Sequence, residues 1–185
     1  MSILVVAAMK EEAAEITARM DHEVLITGIG TVPAAIALTR RLALGPAPER
    51  VVNVGTAGAL VDLPAGVYEV GAVLKHDRRV LDVSGLTDFV YPRLFELDTH
   101  TALPKARLAT GDTFVNTTAL RDELARESDL VDMEGYALAA VCREFDVPLT
   151  MLKQVSDNAN ETSNVSWPES LAVAAVQLND ALALL

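Results

Sequence analysis

The chain has 185 residues, 51% hydrophobic but only 4% aromatic, with a formal net charge of −11 from 15 basic and 26 acidic residues. That length suits one domain, residues 1–185, with a core built from Ala, Val and Leu. The acidic balance repels phosphate backbones and excludes nucleic acid as a partner.

The first residues, MSILVVAAMKEE, carry no basic leader and meet acids at once, so they are not read as a signal peptide. No apolar run reaches the roughly 18 residues a membrane helix needs. A soluble, cytoplasmic protein without membrane contact is expected. Ile3–Ala8 is predicted as a buried strand, and Lys10–Met20 as a helix with Met9, Ala13, Ile16 and Met20 at helical spacing. Val24–Thr27 is a second strand. GIG at 28–30 turns into a helix over Val32–Leu44, which GPAP at 45–48 ends. Val51–Val54 is a strand closed by GTAG, and another spans Val67–Leu74. Residues 76–104 are irregular, with an aromatic cluster at Phe89, Tyr91 and Phe95.

Order returns with a strand at Ala106–Thr110, ahead of GDTFVN, and a helix over Thr118–Arg126. LVDMEGYALAAV, residues 130–141, is a strand running into a helix that reaches Phe145. Pro148 separates that helix from a strand at Leu149–Val155. A polar loop over 156–166 precedes the last helix. There Ser166 and Glu169 have capping-box spacing and Pro168 falls in the first turn. The fold class is α/β: a three-layer domain with a central, largely parallel mixed sheet flanked by helices. Ligands of such sheets bind beyond the carboxyl ends of the strands. The clusters MKEE, GIG, GTAG, GDTFVN, DMEG and SDNAN all follow strands, and one rim can gather them.

Several motifs lead nowhere. GIGTVP has Pro33 at the third glycine position of a dinucleotide fingerprint and is a turn into a helix. His22, His76 and His100 have no metal-ligand spacing with Cys142, so neither a metal nor another cofactor is expected. Cys142 is the only cysteine and sits in an apolar helical stretch, where a buried filler is expected. Three acids at strand ends remain: Glu12, Glu134 and Asp157. Glu12 alone fits a helix first turn and Asp157 alone fits a turn cap. Together, beside glycine turns and a Phe, they suit glycosyl-bond chemistry.

In sequence order, AAMKEE, TGIGTVPAA, VVNVGTAGAL, ATGDTFVN, VDMEGYALAAVCREFDVP and VSDNAN resemble the nucleoside phosphorylase superfamily, most closely its 5′-methylthioadenosine/S-adenosylhomocysteine nucleosidases. The resemblance implies that Glu12 positions or deprotonates the attacking water and that Asp157 protonates the purine. It implies that Met133 and Glu134 hold the ribose, Phe114 stacks on the base and Val115 offers its backbone to the base edge. Thr56, Ala57 and Gly58 line the site beneath the sugar, and Ser156 is a further substrate contact. It also implies a role in methionine salvage and a homodimer whose partner closes the 5′ end of the pocket. The segment LTDFVYPRLFELD, with Leu86, Phe89, Val90, Tyr91, Leu94 and Phe95, is the expected interface.

The chemistry accounts for these residue types. Breaking a purine N-riboside leaves an oxocarbenium-like sugar and a poor leaving group, which protonation at N7 improves. General acid help of this kind is worth roughly 10²–10⁴ in rate. A carboxylate on the ribose hydroxyls grips harder as positive charge builds on the sugar. Related phosphorylases carry an arginine for phosphate just ahead of the glycine turn, where this chain has Asn53. Relatives handling 6-oxopurines often have Asn at the Asp157 position. Hydrolysis of an adenine nucleoside is the favoured reading. A phosphate-dependent purine nucleoside phosphorylase and a catalytically silent nucleoside-binding relative are the alternatives. The chain departs from the nucleosidases in having almost nothing between Met20 and Val24, Lys153 for Arg and Asp132 for Glu.

Overall fold

The computed structural model describes residues 2–19, 21–78 and 91–185. In chain order the elements are β1 (Ile3–Ala7), α1 (Ala14–Arg19), β2 (Glu23–Ile26), α2 (Thr31–Leu44), β3 (Arg50–Ala59), β4 (Val67–Lys75) and β5 (Leu94–Glu96). There follow β6 (Lys105–Thr110), α3 (Thr118–Leu124), β7 (Leu130–Asp132), α4 (Gly135–Glu144), β8 (Leu149–Asp157) and α5 (Ser163–Leu182).

Eight strands form one mixed sheet in the order β2-β1-β3-β7-β6-β4-β5, with β8 inserted between β3 and β4. β1 runs parallel to β2 and β3, β3 parallel to β8, and β6 parallel to β4 and β7. The pairs β3–β7, β4–β5 and β4–β8 are antiparallel. The path β3-β7-β6-β4-β8-β3 closes on itself, so the middle of the sheet curls into a five-stranded barrel and hides its edges.

Alternate strand residues point to opposite faces, and both faces are covered. On β1, Leu4 and Val6 enter a core with Ala34, Leu38 and Leu42 of α2 and the apolar side of α4. Val5 and Ala7 enter another with Ile16 of α1 and Ala174, Leu178 and Ala181 of α5. The helices lie in two layers because only covered faces can carry such continuous apolar strands. Each buried set on α2 and α5 recurs at three- and four-residue steps.

Four expectations need correction. Lys10–Ala13 form turns, and α1 starts only at Ala14, because Glu12 folds inward and accepts a hydrogen bond from Met9 N at 3.2 Å. GTAG does not close its strand: β3 runs through it to Ala59, since β8 continues to pair it up to Gly58–Asp157. Residues 76–104 hold the short strand β5, whose Phe95 is buried and packs at a tilt against Tyr136 with ring centroids 5.1 Å apart. Phe95 therefore belongs to this chain's own core, whereas Tyr91 is 49% exposed. Leu86, Phe89 and Val90 lie outside the described residues, as does Met20. The last helix begins at Ser163, so Ser166 is not its cap and Pro168 lies inside it. Its N-cap is Thr162, and Asn160 orders the turn just ahead, accepting from Thr162 N at 3.0 Å and Thr162 Oγ1 at 2.7 Å.

Candidate active site

The carboxyl ends of the strands surround a cavity of about 320 Å³, and every one of the six clusters after strands contributes to its wall. Glu12 comes from the turn after β1 and is 4% exposed. Its Oε1 accepts from Thr56 N at 2.8 Å and Thr56 Oγ1 at 2.9 Å. Three donors thus fix the carboxylate against the floor of β3. Ala57 and Gly58 continue that floor.

Asp157 ends β8 and is 9% exposed. Oδ1 accepts from Ala159 N at 2.8 Å, which curls the chain back in a local turn with Ala159 at φ 48°. Ser156 Oγ lies 2.8 Å from Asp157 Oδ2 and 3.3 Å from Ala57 O. The Ser156 hydroxyl is the donor there and faces both acceptors. Gly58 makes room for this acid. The register between β3 and β8 shifts at Ala57/Gly58, and a Cβ on Gly58 would lie 3.2 Å from Asp157 Oδ1 and 3.1 Å from Ala159 Cβ.

Glu134 occupies the N-cap position of α4 but makes no capping bond. Asp132 and Thr110 supply the cap instead. Asp132 Oδ2 accepts from Gly135 N at 2.9 Å, and Thr110 Oγ1 accepts from Tyr136 N at 3.0 Å. Glu134 is thereby released to turn into the cavity, where Oε1 accepts from Gly30 N at 2.8 Å. Burial, then the charge of Asp132, push its carboxyl up to about 7, against the pull of Lys153 and the Gly30 N–H. Met133 lies beside it on the wall.

Beneath these acids lies Lys153, 1% exposed, with Nζ 2.9 Å from Asp132 Oδ2. Burial opposes its charge, yet Asp132, Glu134 and Glu12 outweigh that cost and hold the amine above its ordinary value. The ammonium is a fixed counter-charge to a group of carboxylates that would otherwise repel one another.

The opposite wall is aromatic. Phe114 is 38% exposed and faces Trp167 of α5, centroids 6.1 Å apart, while Val115 beside it is buried. Trp167 Nε1 donates to Thr56 Oγ1 at 3.0 Å, linking this wall to Glu12. Sequence reasoning did not pick out Trp167, the sole tryptophan of an aromatic-poor chain, nor Ile29, both of which line the cavity. Among the described residues the wall carries Glu12, Asp132, Glu134 and Asp157 and no Lys, Arg or His. No group of three or more metal-ligating side chains occurs among the described residues.

Residues 95–185 match the phosphorylase superfamily. The chain is 33% identical to the 5′-methylthioadenosine/S-adenosylhomocysteine nucleosidase of Arabidopsis thaliana over 88% of its own length and 67% of the relative's. It is 34% identical to the enzyme of that name from Bacillus subtilis, over 82% and 74%. The structure of the Streptococcus pneumoniae MTA/SAH nucleosidase in complex with 8-aminoadenine superposes with a TM-score of 0.84 at 26% identity, covering 98% of this chain and 97% of the other.

Proposed function

The chain belongs to the 5′-methylthioadenosine/S-adenosylhomocysteine nucleosidase family of the phosphorylase superfamily, and from that footing we propose how its cavity works. It hydrolyses the N-glycosidic bond of an adenine nucleoside of the 5′-methylthioadenosine type and releases adenine. Phe114 stacks on the base, and the Val115 backbone meets its edge. Met133 and Glu134 hold the ribose, with Glu134 Oε2 free to accept from its hydroxyls. Thr56, Ala57 and Gly58 lie beneath the sugar.

Asp157 gives its proton to N7 as the bond from C1′ to the purine breaks, and adenine leaves neutral. The Ser156 hydroxyl, donating to Asp157 Oδ2 at 2.8 Å, fixes the orientation of that carboxyl group. Glu12, fixed by three donors, takes a proton from the water whose oxygen bonds to C1′. As positive charge builds on the sugar, the ionised Glu134 and Glu12 attract it more strongly than they attract the neutral substrate.

The observation that carries this reading over phosphorolysis is the wall itself: four carboxylates and, among the described residues, no cation. A phosphate dianion entering it would find no side-chain cation on the described wall to pair with and would meet the charge of its ionised carboxylates. Asn53 is no substitute for an arginine, because its amide is buried and donates to Val6 O at 3.0 Å. Adenine release from 5′-methylthioadenosine, assayed with and without phosphate, tests it. Release without phosphate is expected. A strict phosphate requirement would make the protein a phosphorylase, and no release would make it a binding relative.

The same proposal takes residues 1–185 as one domain in a homodimer. Ile29 leads from the cavity to Val32 and Ile36 on α2, exposed by 47%, 63% and 63%. Successive turns thus present an apolar strip beside the mouth, which a second copy would cover while completing the 5′ end. No helix among the described residues is long and apolar enough to cross a membrane. A cytoplasmic location, with a part in methionine salvage, completes the proposal. The lone Cys142, buried and with its thiol pushed up to about 12 by burial, is consistent with a reducing compartment.

A further inference from the structure

Asp112 follows β6 in the GDTFVN cluster and lies outside the cavity wall. Its Oδ1 accepts from Thr31 N at 2.7 Å and its Oδ2 from Thr31 Oγ1 at 2.5 Å, across 81 residues of chain. The preceding amide, Gly30 N, is the donor to Glu134 Oε1. Gly30 itself is held at φ 105°, and a Cβ there would sit 3.2 Å from Asp112 Oδ1. Only glycine takes that backbone at low strain, and its bare Cα lets the carboxylate close against the loop. Asp112 is in turn fixed from β4: its amide donates to Asp77 Oδ2 at 3.0 Å, and Lys75 Nζ lies 2.8 Å from Asp77 and 3.8 Å from Asp112.

We infer that Asp112 is a positioning residue for the ribose-binding acid, acting on Glu134 through the backbone of Thr31 and Gly30. The inference rests on the proposed role of Glu134. Clamping Thr31 points the next amide of the turn into the cavity. One oxygen of Glu134 is then occupied, and the other is left at the position where a ribose hydroxyl arrives. A helix cap alone would need only the bonds to Thr31. The tight glycine and the onward bond to Glu134 are what a cap does not require.

The groups facing Glu134 are Glu12 after β1, Asp132 on β7, Lys153 on β8 and the Gly30 amide before α2. Those around Asp112 are Lys75, Asp77 and His76, the last with its imidazole disfavoured in the charged form by burial. Of all these, only the Gly30 amide, which donates to Glu134, is tied to Asp112, through its backbone link to the clamped Thr31. Its loss removes a donor that favours the ionised carboxyl, so the acid limb of ligand affinity moves to higher pH.

The test compares wild type, Asp112→Ala, Asp112→Asn and each change combined with Glu134→Gln. Affinity and KM for 5′-methylthioadenosine are measured from pH 5 to 9, and a crystal structure of Asp112→Ala gives the Gly30–Glu134 contact. Asp112→Ala is expected to raise KM about five- to tenfold with a smaller change in kcat, and to move the acid limb upward. Asp112→Asn, which keeps an acceptor for Thr31 N, is expected to recover most of the loss. In the Glu134→Gln background, Asp112→Ala should add little. An unmoved acid limb, or full additivity with Glu134→Gln, would overturn the inference. So would a 2.8 Å Gly30–Glu134 contact retained in the Asp112→Ala crystal, a result that needs no turnover. Failure of the wild type to release adenine would instead sink the function reading and leave that structural arm to decide this one.

Discussion

Replacing Glu134 with Gln leaves the shape of the proposed ribose site but removes a charge whose presence depends on pH. The wild-type carboxyl, pushed up to about 7, should be mostly ionised at pH 8 and mostly protonated at pH 5. A hydrogen bond to a charged group contributes about 1.5–3 kcal/mol and a neutral one about 0.5–1.5. Their difference, roughly 1–2 kcal/mol, is about five- to thirtyfold in affinity. Ligand affinity of the wild type should therefore fall by that factor as pH drops from 8 to 5, and Glu134→Gln should be weak and flat over the same range. Binding is best followed in an Asp157→Asn background, which should hold 5′-methylthioadenosine without cleaving it. The sole tryptophan, Trp167, lines the cavity and reports occupancy by its fluorescence. A wild-type affinity unchanged between pH 8 and 5, or the same fall in the Gln variant, would refute the reasoning.

Gly58→Ala should lower kcat while leaving thermal stability within about 2 kcal/mol, because the added methyl meets Asp157 Oδ1 and Ala159 at 3.1–3.2 Å and shifts the acid; an unchanged kcat would contradict this. Glu69 is fully buried, and although burial raises it, Lys105, Thr101 and the His100 and Thr101 amides draw its carboxyl down to about 2. A depressed acid stabilises the fold above its unfolded pKa near 4.5 and loses that contribution as pH falls through about 2. Glu69→Gln should thus cost up to about 3 kcal/mol at pH 7, with the gap to wild type narrowing at pH 3 in urea unfolding. Equal stability at pH 7 would count against it. Light scattering should give a homodimer at micromolar concentration, and Val32→Glu with Ile36→Glu should shift it to monomer; an active wild-type monomer would remove the interface.

Much of the architecture was legible because short apolar runs and amphipathic helices alternate, a pattern that only a covered sheet satisfies. Closure of the sheet was not, since nothing in β8 reveals that it pairs with both β3 and β4. Local rules misplaced α5: the capping-box spacing of Ser166 and Glu169 is real, but Asn160 and Thr162 start the helix first and Pro168 is accommodated within it. Glu12, Glu134 and Asp157 were visible as acids at strand ends. What holds them was not. Lys153 is the one lysine on β8, and its pairing with Asp132 spans two strands that do not adjoin. Trp167 and Asp112 reach the site or its support through tertiary contacts that no local pattern announces.

The central claim is that these carboxylates hydrolyse an adenine nucleoside with Asp157 as the proton donor. Its most direct test is adenine release from 5′-methylthioadenosine by wild type and Asp157→Asn without phosphate, with Trp167 fluorescence reporting binding in both. The account predicts phosphate-independent release by the wild type, and a variant whose affinity stays within about threefold while its rate falls by roughly 10² or more. Release by Asp157→Asn at near the wild-type rate would contradict it.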